Sequence, residues 1–332
     1  MGGLGEFALI DRLSRLVPTV GPGVTTGVGD DTAVLSFPGR ALATCDAQVE
    51  GVHFRFGLST PADVGWRALA VNVSDIAAMG GTPRYALVSL LVPRRARLRD
   101  IEGIYRGLGQ AARAYGVVVA GGNVSGTDGP IVVDVTVLGN AGRTLTRGGA
   151  RPADGLWVTG SVGKAAAGLF LAGHPRVRVP GGRALRAAYR RPVPRVAAGR
   201  ALSASAAVTA AIDISDGTAA DLLHVLEASG VGVRLDVSRV PVPPGLAEAA
   251  AAARVDPSTW ALGGGEDFEL LFTARPSFDR SAAAVARAAG VPVTRIGEIV
   301  PSRGGRWVIG PTGRRTPLIA AGWDHLKART RL

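Results

Sequence analysis

Two short acidic stretches carry most of the chemistry legible in this chain: Gly29-Asp30-Asp31-Thr32-Ala33, and Asp213-Ile214-Ser215-Asp216-Gly217. Each sets carboxylates in a Gly-containing turn beside an apolar run. The chain has 26 Asp+Glu against 38 Lys+Arg, so an acid-rich composition does not explain the bunching. Like charges held close repel, and Mg²⁺ with a polyphosphate relieves that repulsion. Either stretch alone reads equally as an Asx-type turn capping the next element. Together, and with the acids below, they favour metal–phosphate chemistry.

A second group of donors surrounds a helix expected over Ala62 to Met79. Trp66, Leu69, Ala70, Val73, Ile76 and Ala77 recur at helical spacing and form one apolar face. At about 100° per residue, Asn72, Asp75 and Met79 fall on the opposite side. Asn72 thus adds an oxygen donor on the face of Asp75, where a lone acid would simply be solvated. Thr44-Cys45-Asp46 ends a predicted strand and leads into Glu50-Gly51-Val52-His53-Phe54. Its hydroxyl and carboxylate oxygens suit a hard cation. The chain has four His without a paired spacing, which argues against zinc. His53 reads as structural or substrate-facing.

Glycines supply the rest. Gly121-Gly122-Asn123 follows a short apolar run, where bare backbone lets amides approach phosphate oxygens. Gly263-Gly264-Gly265-Glu266-Asp267 delivers two acids directly before a predicted strand. The standard nucleotide motifs fail. Val158 to Ala165 ends like a P-loop, but Val158 replaces its first Gly and Ala165 its Ser/Thr. Gly27-Val28-Gly29 lacks the third glycine of the dinucleotide fingerprint. No Gly-x-Ser-x-Gly elbow or Cys/His pair points to acyl transfer.

The elements that position these residues alternate along the chain. Strands are predicted at Ala41–Asp46, Ala86–Val92, Val117–Ala120 and Ile131–Gly139, with helices at Ala62–Met79 and Leu98–Tyr115. A Gly/Arg-rich stretch, Asn140 to Asp154, marks a boundary. The pattern then restarts with a strand at 156–159, a helix at Ala165–Leu171, a strand at Ala211–Ile214 and a helix at Thr218–Ser229. Strands at Val231–Val237, Leu270–Thr273 and Val293–Ile299 follow, with helices at Ala247–Ala253 and Ser277–Ala289. Domains are therefore expected over 1–142 and 150–332, in an α/β (α+β) class.

The composition bounds the alternatives. The formal net charge is +12, which raises a nucleic-acid reading. The charge is nearly all arginine and spread along the chain, and its densest stretch, Arg176 to Arg195, lacks the interleaved aromatics that stack bases. Attraction to an anionic substrate such as ATP is the milder inference. No apolar window long enough for a membrane span appears. The start lacks a signal-peptide pattern, and Cys45 is the only cysteine, so a cytoplasmic protein without disulfides is expected.

The ordered motifs together resemble the thiamine-monophosphate kinase family, part of the ATP-binding superfamily that includes aminoimidazole ribonucleotide synthetase and selenophosphate synthetase. The resemblance runs through Gly5-Glu6-Phe7-Ala8-Leu9-Ile10, Gly29-Asp30-Asp31, Glu50-Gly51-Val52-His53-Phe54, Asn72 to Gly80, and Arg143-Thr144-Leu145-Thr146-Arg147. It continues to Asp213–Gly217, Gly264-Gly265-Glu266-Asp267 and Gly322-Trp323-Asp324-His325. It implies a mixed-sheet N-terminal domain that binds ATP and Mg²⁺ and dimerises, and an α/β C-terminal domain that completes the phosphate and substrate site. It further implies that Asp30, Thr44, Asp46, Asp75, Asp213 and Asp216 hold several Mg²⁺ ions. Tyr105, Gly121, Gly122, Arg147 and Ser215 would contact ATP, and His53, Glu266, Asp267 and Trp323 would contact thiamine monophosphate. Two positions depart from the family pattern. Asn123 stands where an acid is usual and Cys45 where a Thr is usual, both expected near a metal. The implied activity is Mg²⁺-assisted transfer from ATP to thiamine monophosphate without a general base. The alternatives are another ATP-using enzyme of the superfamily, a non-catalytic relative, and an arginine-rich nucleic-acid binder.

Overall fold

The computed structural model describes residues 6–28 and 32–319, and it divides into two units. The first comprises residues 1–144 together with Arg190–Arg200; the second comprises 145–189 and 201–332. The sequence reading places all of 150–332 in one domain. The return of Arg190–Arg200 to the first unit has a local cause at the start of that unit's first long helix. Arg191 Nε pairs with Asp63 at 2.6 Å, Trp66 Nε1 donates to Pro192 O at 2.8 Å, and Arg190 Nε donates to Leu58 O at 2.9 Å. Burial alone would raise the Asp63 carboxyl, but Arg191 and Thr60 pull it below its ordinary value.

The first unit holds α1 (Glu6–Ser14), β1 (Val24–Thr26), β2 (Val34–Leu35), β3 (Arg40–Val49), α2 (Pro61–Ala78), β4 (Thr82–Pro93), α3 (Leu98–Tyr115), β5 (Val118–Thr127) and β6 (Val132–Ala141). Its main sheet has the order β3-β6-β4-β5, antiparallel except for the β4–β5 pair. That parallel pair needs a crossover, and α3 supplies it. One face of the sheet, through Val88, Leu90, Val133, Val135 and Val137, packs on Leu69, Val73 and Ile76 of α2 and Ile101, Ile104 and Leu108 of α3. On the other face β1 and β2 pack over Tyr85, Val118 and Ala120, with Leu87 and Leu138 alongside. Thr60 caps α2 in a reciprocal pair with Asp63, with Pro61 at the first helical position, the pattern that best fixes a helix start.

α2 and α3 cross at unusually close range because glycines lie at the contact. A Cβ on Gly65 would stand 1.7 Å from Ile104 O, and one on Gly107 would stand 1.8 Å from Ala62 O. Both neighbours are backbone and cannot swing aside.

The second unit holds β7 (Gly155–Thr159), α4 (Lys164–Gly173), α5 (Gly182–Arg190), α6 (Val196–Ala204), β8 (Val208–Asp213), α7 (Thr218–Ser229), β9 (Val231–Asp236), α8 (Leu246–Ala253) and α9 (Pro257–Gly263). It continues with β10 (Leu270–Ala274), α10 (Ala282–Ala289), β11 (Val293–Pro301), β12 (Arg306–Ile309) and β13 (Arg315–Pro317). The last residue of α5 and the first half of α6 fall in the returning segment. The sheet order is β13-β12-β9-β11-β7-β10-β8, and only β12–β9 is parallel. The continuous helix expected over 277–289 is broken: a 3₁₀ turn at Pro276–Arg280 precedes α10. α5 is absent from the sequence reading because its buried stripe is only Gly182, Leu185 and Tyr189, set among arginines. Among the described residues no helix is long and apolar enough to cross a membrane.

The α2–α3 crossing predicts that Gly65→Ala and Gly107→Ala each destabilise the fold by at least the roughly 1–3 kcal/mol of an overpacked core. Thermal denaturation should register both as lowered midpoints, whereas Gly173→Ala, with open space at its Cβ and no positive φ, should cost less.

Candidate active site

In the first unit the donors lie on the α2-facing side of β3. Side chains alternate across a strand, so Leu42, Thr44, Asp46 and Gln48 share one face, and Leu42 packs against the core there. Thr44 Oγ1 donates to Asp75 Oδ2 at 2.5 Å, joining the strand donors to the helix donor. Asn72, expected on an open face, is instead fully enclosed. α2 is buried almost all round, because the sheet takes one side and α3 another. Asn72 Nδ2 donates to Ala68 O at 3.0 Å, while its Oδ1 has no hydrogen-bond partner. A buried acceptor left bare is costly, and it lies one helical turn from Asp75.

Cys45 and Asn123 do not join this set. Cys45 is paired with Thr136 across β3 and β6, and its thiol donates to Asp134 Oδ1 at 3.2 Å on the face away from α2. Asn123 is paired with Ser89 across β4 and β5, on that same outer face, and its Nδ2 donates to Ser125 Oγ at 3.0 Å. Strand alternation therefore puts both side chains on the sheet face opposite Thr44 and Asp46.

Gly121 and Gly122 are also not in a turn after a strand. β5 continues to Thr127 as an edge strand with an irregularity beside Ala120. An edge strand leaves one row of backbone groups unpaired, so bare amides remain available to an anion. Gly121 and Gly122 line a recess with Tyr105, Leu13 and Val119. Burial pushes the Tyr105 hydroxyl up to about 12, so it stays a neutral donor. His53 sits in the turn after β3, where Val49 N donates to its Nδ1 at 3.0 Å. A backbone amide can only donate, so Nδ1 is unprotonated and Nε2 of the neutral ring carries the hydrogen.

In the second unit β7 and β8 end, and β10 begins, at one end of the sheet, because β10 runs antiparallel between them. The loops there are tied together. Glu266 N donates to Ser215 O at 2.7 Å and Phe268 N to Ile214 O at 2.9 Å. Ser215, Asp216 and Glu266 are half-buried at this end, and Asp213 is buried. Gly217 has φ 126, and a Cβ there would meet the Gly263 backbone at 3.0 Å. Arg147 is exposed in the segment along the outer edge of β8, where Ala211 N donates to Thr146 O at 2.9 Å.

Asp267, assigned to the substrate by resemblance, holds the start of α4 in this structure. Its carboxylate accepts the amide of Gly163 and, at 2.9 Å, that of Ala165, at the start of α4. Glu266 and Phe268 flank it at φ 67 and φ 51, a backbone that costs energy for residues other than Gly. These turns aim Asp267 inward, where it is 1% exposed. A helix N-terminus attracts an anion, and here the protein supplies its own. The P-loop-like run Gly160 to Lys164 is therefore occupied from within. Lys164 pairs with the fully buried Glu269, which also accepts from Thr159 Oγ1 at 2.7 Å. Burial pushes the Asp267 carboxyl up to about 7, against the pull of Lys164 and the two amides.

Sequence reasoning missed Asp221 and His224. Asp221 Oδ2 accepts the amides of Ser215, Asp216 and Gly217 at 3.0–3.1 Å, fixing the loop that carries Asp216. Burial and the Asp216 charge push its carboxyl up to about 7, against those three amides. Donor atoms of Asp216, Asp221 and His224 lie within 4.8 Å of one another. An acid in the first turn of the expected helix was the available signal. Asp30 and Trp323 lie outside the described residues.

Comparison with known proteins places this arrangement in a class. Family models for AIR synthase related protein match residues 29–141 (N-terminal domain) and 151–310 (C-terminal domain). Within that class the chain belongs to the thiamine-monophosphate kinase family. It is 36% identical over 313 residues to the thiamine-monophosphate kinase of Rhodopirellula baltica, covering 92% of each chain. The crystal structure of that kinase from Stenotrophomonas maltophilia is similar at TM-score 0.81 and 34% identity, over 94% of this chain and 98% of the other. A chain solved as AaThiL complexed with AMPPCP and TMP is similar at TM-score 0.77 and 32% identity, over 98% of each.

The burial of Asp267 carries a pH signature. An acid whose folded pKa lies above its unfolded value stabilises the fold below the unfolded pKa and loses that contribution as pH rises through the folded one. For Asp267 the loss falls between about pH 4 and about pH 7. Asp267→Asn should therefore flatten the fall in thermal midpoint from pH 5 to pH 8. Parallel profiles for wild type and variant would refute the assignment.

Proposed function

We propose that this chain transfers the γ-phosphoryl group of ATP to thiamine monophosphate, giving thiamine diphosphate and ADP. The observation that carries the reading is the match, over 98% of each chain, to AaThiL complexed with AMPPCP and TMP, joined to the acids described above. The acceptor is a phosphate monoester with a second pKa near about 6, so its attacking oxygen is already deprotonated at neutral pH. No general base is required. The difficulty is to bring two anions together in line.

The donor set fits Mg²⁺. Thr44, Asp46, Asp75, Asp213 and Asp216 offer only oxygen, the orphaned Oδ1 of Asn72 lies close by in the fold, and a hard cation prefers such ligands. These residues, with Asp30, would hold Mg²⁺, which neutralises phosphate charge and aligns the attack when bound. The protein's own part is positioning. Thr44 orients the Asp75 carboxylate, Asp221 holds the loop of Ser215 and Asp216, and the Gly121–Gly122 edge offers amides to ATP phosphates. Tyr105 and Arg147 complete the ATP contacts. His53, through Nε2–H, and Glu266 and Trp323 serve the thiamine monophosphate. Asp267 acts on the substrate through the loop it anchors.

In this reading the first unit carries groups for ATP and Mg²⁺ and a homodimer contact, and the second carries groups for phosphate and thiamine monophosphate. The largely uncovered outer face of the first unit's sheet, with Cys45, Asn123 and Ser125 exposed, supports a dimer contact there. The enzyme works in the cytoplasm. Because Cys45 and Asn123 stand on that outer face, neither displaces a donor from Thr44, Asp46 and Asp75, which favours catalysis over a non-catalytic relative.

The test is turnover of ATP with thiamine monophosphate, with and without Mg²⁺, against thiamine as acceptor. Turnover should require Mg²⁺, and thiamine, whose alcohol must lose a proton, should react slower by orders of magnitude. Comparable rates on both acceptors would mean that a base operates and that the mechanism is wrong.

A further inference from the structure

A cavity of about 280 Å³ in the first unit lies among residues the kinase reading does not use. Its wall is Phe56, Leu58 and Ser59 from the loop before α2, Pro61 at the first position of α2, Arg97 at the start of α3 and Arg190 from the returning segment. The loop is fixed by Leu58 N and Ser59 N, both donating to Arg55 O at 3.2 Å. Arg190 is fixed by its Nε bond to Leu58 O at 2.9 Å, while its terminal nitrogens have no acceptor among the described residues. Ser59 is only 7% exposed, and its hydroxyl likewise has no partner there. The lining carboxylate, Asp100, is already engaged by Arg97 at 2.7 Å and lies 3.9 Å from Arg99.

The α2 amides do not create this site, because Thr60 and Asp63 already cap that helix. What remains are the terminal nitrogens of Arg190 and the Ser59 hydroxyl, with the Asp100-paired Arg97 nearby, beside an apolar wall. The Ser59 hydroxyl and the Arg190 terminal nitrogens are open to the cavity, and guanidinium groups prefer phosphate oxygens. The volume falls below the roughly 300–1,000 Å³ of drug-sized pockets, so it suits one ring and one phosphate rather than a nucleotide. We infer that this cavity is a second ligand site, separate from the catalytic one, for a small phosphomonoester that carries an aromatic ring. The ring would lie on Phe56, Leu58 and Pro61, and the phosphate would meet Arg190, Arg97 and Ser59.

Calorimetric titration of the full chain with phenyl phosphate and with inorganic phosphate tests this. Wild type should bind phenyl phosphate, and more tightly than inorganic phosphate. Arg190→Gln should weaken phenyl phosphate by about tenfold or more, and Ser59→Ala by about threefold, as expected for lost charged and neutral hydrogen bonds. Both variants should keep the wild-type turnover rate at saturating substrates, which separates this cavity from the catalytic centre. Ser59→Ala removes one atom and preserves the fold, so it decides the matter if Arg190→Gln does not fold. Identical isotherms for wild type and Ser59→Ala, or no binding by wild type, would overturn the site. Equal affinity for the two probes would overturn the aromatic class of ligand.

Discussion

A carboxylate withdrawn from water at the end of a strand must meet a donor, and the two units are organised around that requirement. Asp267 meets two amides at the start of α4, Asp221 meets three in the loop before α7, and Glu269 meets Lys164 and Thr159. These acids are satisfied within the protein. Asp213 ends β8 and Asp216 follows in the loop that Asp221 holds. The buried acids build the loops, and in the proposed reading Asp46, Asp213 and Asp216 face the cation. Their repulsion is the interaction on which the proposed chemistry rests.

The elements with clean periodicity were legible. α2, α3, α7 and strands β3 to β11 fall where apolar spacing puts them, and α7 agrees at both ends. The failures are local. α5 hides a sparse apolar stripe among arginines, and the short edge strands β12 and β13 have too few residues for alternation to register. α2 misled in a different way. Its apolar stripe is real, but α3 covers much of the remainder, so Asn72 is enclosed rather than exposed. Sequence spacing gives the face of a helix but not the number of neighbours around it.

The site was legible as a set of motifs more than as a geometry. The adjacency of Thr44 and Asp75, distant in sequence, depends on the packing of α2 against β3. Strand alternation alone could have separated Cys45 from Thr44 and Asp46, had β3 been recognised as continuing to Val49. Asp267 was the harder case. Its inward turn depends on the left-handed backbone of Glu266 and Phe268, which residue type does not announce. Acids that hold a loop and acids that face a ligand look alike in a sequence, and only their hydrogen-bond partners tell them apart.

The central claim is that one in-line displacement carries the phosphoryl group directly from ATP to the acceptor phosphate, with acids and cations managing charge and no side chain acting as nucleophile. The most direct measurement uses ATP made chiral at its γ-phosphorus by sulfur and oxygen isotopes, followed by analysis of the terminal group of the thiamine diphosphate formed. A single displacement predicts inversion of configuration. Retention would require two successive displacements through a covalent phosphoenzyme, and would contradict the account.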